Sequence, residues 1–63
     1  MFTFEHGSDC YRFERRTDTS DFVEVQGFKN DEFAFGRMFG DRNAANKWAT
    51  AERDAIVKGW RDW

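Results

Sequence analysis

The stretch from Phe22 to Asp41, FVEVQGFKNDEFAFGRMFGD, decides the fold. It holds five of the chain's eight phenylalanines, in a sequence that contains no leucine, so these rings must take over the usual work of leucine in a core. Phe22, Glu24, Gln26 and Phe28 alternate with Val23, Val25 and Gly27. After the polar run KND, Phe33, Phe35, Arg37 and Phe39 alternate with Ala34, Gly36 and Met38. A period of two marks strands, here over about residues 21–28 and 33–39. A helix over Asn30 to Phe39 is the competing reading, and Gly36 together with the Phe spacing argues against it.

Joining the two strands by a four-residue loop, Lys29 to Glu32, predicts a register. Phe28 falls opposite Phe33, Gln26 opposite Phe35, Glu24 opposite Arg37 and Phe22 opposite Phe39. One face then collects Phe22, Phe28, Phe33, Phe35 and Phe39 with a Glu24–Arg37 ion pair. The other carries Val23, Val25, Gly27, Ala34, Gly36 and Met38.

Upstream, Phe2 and Phe4 alternate with Thr3 and Glu5, and Tyr11 and Phe13 with Arg12 and Glu14. Two strands, about 2–6 and 10–16, therefore flank the turn HGSD. Downstream, Asp41 is a good N-cap for a helix over about 42–58, with Ala45, Trp48, Ala49, Glu52, Ile56 and Trp60 on one stripe at 100° per residue. Gly59 either stops this helix or the helix runs on through WRDW; the residues leave both open. Glu52, central in the stripe, is expected to snorkel or to pair with Arg37 or His6. The predicted fold is α+β, an antiparallel β-meander of three or four strands packed on one C-terminal α-helix, as a single domain over 1–63. Only the Phe side is apolar across all four strands, so the helix is expected there, leaving a reverse side of small apolar groups and Met38 as an interface.

A chain of 63 residues buries only about 60% of its unfolded surface. Eight Phe, three Trp and one Tyr, each burying roughly 150–250 Å² when enclosed, can supply a core without metal or disulfide. Cys10 is the one cysteine, which fits a reducing cytoplasm. The start, MFTFEHGSDC, shows neither a basic segment nor an apolar run of signal-peptide type. A cytoplasmic chain beginning at its own Met1, without membrane partners, is the expectation.

No segment carries a recognisable catalytic pattern. His6, Asp9 and Cys10 in HGSDC invite a nucleophile–base reading, yet Cys–His chemistry needs a water-excluding wall that so short a chain can hardly build. One His and one Cys fall short of a zinc set, DTSD lacks the calcium-loop Gly and distal Glu, and no Gly-rich phosphate loop is present. No enzyme activity and no cofactor are expected. The run EFAFGRMF resembles in part the RNP1 octapeptide of RRM domains, with Phe33, Ala34 and Phe35 at matching spacing. It departs at Asp31 and Glu32, which replace the Lys/Arg-Gly start of RNP1, at Gly36, which replaces a branched aliphatic, and at Met38, which replaces the last aromatic.

Net charge is −2, but the halves differ: residues 1–32 carry eight acids and four bases, residues 33–63 four acids and six bases. An acidic half without catalytic groups points to a protein-interaction module with a basic-surfaced partner. One such role is a phage or mobile-element inhibitor, anti-CRISPR-like, that occludes nucleic-acid-handling machinery. The expected contact residues are Asp18, Asp21, Glu24, Asp31, Glu32, Met38, Trp60 and Trp63. A single-stranded nucleic-acid binder is the first alternative and a structural homodimer, pairing through the reverse side of the sheet, the second.

Overall fold

The computed structural model describes residues 1–17, 21–61 and 63. Four strands, β1 (Phe2–His6), β2 (Asp9–Thr17), β3 (Val23–Lys29) and β4 (Glu32–Phe39), form one antiparallel sheet in the order β1-β2-β3-β4, followed by the helix α1 (Arg42–Val57). This is the α+β meander expected from the alternation. No helix among the described residues is long and apolar enough to cross a membrane.

Two-residue turns set the hairpins. His6 pairs with Asp9 across Gly7 and Ser8, and Gly7 takes φ +64°, as the first position of a II′ turn requires. Lys29 pairs with Glu32 across Asn30 (φ 53°) and Asp31 (φ 67°), the double left-handed signature of a type I′ turn. The loop is thus two residues shorter than the four-residue loop expected.

The shorter turn still places Phe28 opposite Phe33, but beyond that pair the expected register fails. A β-bulge leaves Ala34 without a ladder partner, and the strand slips by one: Gly27 faces Phe35, Gln26 faces Gly36, Val25 faces Arg37, Glu24 faces Met38 and Val23 faces Phe39. The expected Glu24–Arg37 pair is therefore absent from the ladder. The bulge also reverses which side the β4 residues face, so Phe33 points away from the helix while Phe35 and Phe39 point toward it.

The inward face of β3 consists of Val23, Val25 and Gly27, all buried, which corrects the expectation that Val23 and Val25 form an exposed back surface. Turning this strand the other way would bury Glu24 and Gln26 to gain Phe28, and two uncompensated polar side chains cost more than one ring returns. Beneath α1, Phe13, Val23, Val25, Ala45 and Ala49 form the centre, ringed by Phe2, Phe4, Phe35, Phe39, Trp48 and Trp63. The rings meet tilted or edge to face, as with Phe35 against Trp48 (81°) and against Trp63 (87°), the arrangement their quadrupoles favour.

Both helix ends are capped. Asp41 accepts a 2.8 Å bond from the Ala44 amide. At the other end Gly59 (φ +79°) donates to the Ile56 carbonyl at 3.0 Å and Trp60 to the Ala55 carbonyl at 2.8 Å, the Schellman pattern. This resolves the alternative left open by the residues: α1 stops at Val57, Trp60 leaves the predicted stripe and stands 77% exposed, and Trp63 is the ring that folds back. Trp63 packs 5.2 Å from Phe13 and 5.3 Å from Tyr11. Its indole donates to Glu52 Oε1 at 3.2 Å, and Arg61 pairs with the same oxygen at 3.0 Å. Glu52 is thus buried and doubly partnered, by residues of the tail instead of Arg37 or His6.

Candidate functional site

With α1 laid across β3 and β4, the opposite face of the sheet has no covering layer among the described residues. Alternation along the ladder assigns its residues: Thr3 and Glu5 from β1, Cys10, Arg12, Glu14 and Arg16 from β2, Glu24, Gln26 and Phe28 from β3, and Phe33, Gly36 and Met38 from β4.

This face has two chemically distinct parts. At the end near the I′ turn, Phe28 and Phe33 meet edge to face with centroids 5.7 Å apart, and the Arg12 guanidinium lies 4.3 Å over the Phe28 ring. Phe33 remains 60% exposed. Arg12 is held from two sides, by Asp31 Oδ1 at 3.1 Å and Glu14 Oε2 at 3.2 Å, although its Nε, buried and only that distance from Glu14, lacks the alignment of a hydrogen bond. Along the middle runs a polar relay in which Arg16 Nε donates to Gln26 Oε1 at 2.7 Å and Gln26 Nε2 donates to Glu24 Oε1 at 2.9 Å. The Glu24 carboxylate spreads over Gly36, where a Cβ would stand 2.9 Å from Oε2. Met38, 55% exposed, closes the strip on the edge strand.

The expected contact residues do not come together. Glu24 and Met38 are cross-strand partners on the helix-free face. Asp31 and Glu32 sit at the I′ turn, the Asp31 side chain 91% exposed, whereas Asp21 precedes the other end of β3, about 20 Å away at 3.3 Å per residue. Asp18 lies outside the described residues. Trp60 is exposed beside Lys58, whose ammonium is 4.9 Å from the ring. Trp63, partly buried, packs against the core edge. The described acids thus form no single patch. Phe22, 53% exposed, Phe28 and Phe33, all assigned to the core from the uninterrupted alternation, are the rings that this reading misplaces; for Phe28 the signal available was polarity, since Glu24 and Gln26 share its strand face.

The nucleophile–base constellation also separates. Cys10 shares the helix-free face with Glu5, while His6 and Asp9, paired across the first turn, face the other way. Asp9 is engaged structurally, accepting from Asn30 Nδ2 at 3.0 Å and lying 3.8 Å from Lys29 Nζ. Among the described residues no group of three or more His, Cys, Asp or Glu could hold a metal ion. On the helix side, a concavity of about 510 Å³ beside β4 is lined by Phe35, Arg37, Trp48, Glu52, Arg61 and Trp63. The Arg37 guanidinium stacks 5.2 Å over Trp48, so this hollow belongs to the seam between helix and sheet.

Comparison with protein-family models, with curated proteins and with solved structures gives no match.

Proposed function

We propose that this chain is a protein-interaction module that acts by docking, without catalysis, and that the helix-free face of the sheet is the surface it presents. The observation that carries the reading is the Phe28–Phe33 pair with Arg12 stacked on it. Aromatic and arginine side chains clustered on an uncovered face are the composition of contact hot spots, and an exposed apolar group of this kind marks an interface more often than a solvated surface. The charge of the face favours a protein over a phosphate backbone. Arg12 and Arg16 stand against Glu5, Glu14 and Glu24, so the two bases are outnumbered by three acids.

The test is affinity capture from the native host with wild type and with Phe33→Ser, checked for folding by circular dichroism. Docking through this face requires that proteins retained by wild type be lost from the variant; equal retention by both contradicts it. A second reading, occlusion of a basic nucleic-acid-handling surface in the manner of a phage-encoded inhibitor, is favoured by the exposed acids Asp31 and Glu32 at a type I′ turn. It requires that Asp31→Lys with Glu32→Lys abolish capture and that binding weaken steeply with salt.

A further inference from the structure

The helix-free face is complementary to itself. Across β2 and β3 the ladder sets Arg12 opposite Phe28, Glu14 opposite Gln26 and Arg16 opposite Glu24. Each row therefore holds two groups that attract: a guanidinium and a ring, a carboxylate and an amide, a guanidinium and a carboxylate. We infer that this face pairs with a second copy of itself about a two-fold axis lying between β2 and β3, parallel to the strands. This rests on the docking reading above and names the partner.

Such an axis exchanges β2 and β3, so every residue of the three rows comes to lie over the copy of its own cross-strand partner. Arg16 meets Glu24 of the second copy twice, Arg12 meets Phe28 twice, and Glu14 meets Gln26 twice. An isologous contact demands this self-complementarity. An axis in the same plane but perpendicular to the strands would instead stack Arg12 on Arg16 and Phe28 on Glu24, which repel or go unsatisfied. Stacked sheets lie about 10 Å apart and cross at about 30°. The rows from Arg12 to Arg16 span only about 13 Å along the strand at 3.3 Å per residue, so long side chains keep their partners in reach despite that rotation. Phe33, on the outer strand, comes over β1 of the copy near Thr3, removing its exposed ring from water. Four strands at about 4.8 Å spacing make a face roughly 20 Å across and, with strands about 20 Å long, an area of about 400 Å². That is smaller than the ~800 Å² per partner of a standard interface, which places the pair among weak contacts.

Sedimentation equilibrium at about 100 µM, a concentration suited to weak contacts, tests this with the intact chain. Wild type is expected to exceed the 7.5 kDa of one copy and to fall back toward it as salt rises. Arg16→Glu alone and Glu24→Arg alone should each weaken association roughly tenfold or more, since each sets like charges against each other twice. An equimolar mixture of the two variants should recover association to near wild type, because every contact between unlike copies again joins opposite charges. Changes within one copy persist in the mixture, so recovery reports contact between copies and not folding. A wild type that remains monomeric, or a mixture that does not recover, overturns self-pairing. In either event the docking reading stands or falls separately on the Phe33→Ser capture.

Discussion

Gly27 occupies the point where β3 passes beneath Phe35. A Cβ there would fall well inside contact distance of that ring, and the ring is itself wedged between Trp48 and Trp63. Gly27→Ala should destabilise the fold by about 1–3 kcal/mol, the usual cost of overpacking, measured by urea denaturation. The double variant with Phe35→Leu should recover part of that loss, because the two sites are in contact and their effects do not add. Glu52 is the other residue with a defined energetic role. Its Oε1 receives both the Trp63 indole and Arg61, so Glu52→Ala leaves a half-buried N–H without its acceptor and should cost about 1–3 kcal/mol. Glu52→Gln, which keeps an acceptor, should cost less. The position of Glu52 on the apolar stripe is readable from helical spacing, whereas its partners come from a tail whose path follows from the left-handed Gly59.

At the scale of elements, the I′ turn and the bulge decide which side of the sheet each ring faces. Asn30 anchors the turn through three bonds to the first hairpin: its amide to the Cys10 carbonyl at 2.7 Å, its Oδ1 from the Cys10 amide at 2.9 Å, and its Nδ2 to Asp9. Asn30→Ala loses two of these and forces an alanine to positive φ, a penalty of about 1–3 kcal/mol. Asp31→Gly relieves the same strain at the next position, in the Asn-Gly form that this turn prefers. It should hold stability level or raise it by up to about 1 kcal/mol, set against the lost contact with Arg12. Removing the helix cap with Asp41→Ala should cost about 0.5–2 kcal/mol. Strand and helix positions were legible because alternation and the Asp41 cap are local signals. The register of β3 with β4 was not. A one-residue bulge at Ala34 leaves the pattern of Phe33 and Phe35 looking regular while sending them to opposite faces.

For the whole molecule, two faces divide ten of the twelve aromatic residues, while Phe22 and Trp60 stand exposed. Phe2, Phe4, Tyr11, Phe13, Phe35, Phe39, Trp48 and Trp63 build one core with α1, while Phe28 and Phe33 are held outside it by the polarity of Glu24 and Gln26. Stability and association should therefore separate. Phe33→Ser is expected to change the denaturation midpoint little, since the ring is mostly solvated in the single copy, yet to abolish docking. The acidic balance of the first 32 residues suggested one charged surface. Folding disperses some of the described acids to both ends of β3 and interleaves others with Arg12 and Arg16, a property of pairing that linear charge counts do not contain. The most direct measurement of self-pairing through the helix-free face is a dilution series followed by amide chemical shifts. Shifts confined to Arg12, Glu14, Arg16, Glu24, Gln26, Phe28 and Phe33, with the outer surface of α1 unmoved, are the predicted result; shifts centred on α1, or none at any concentration, would contradict it.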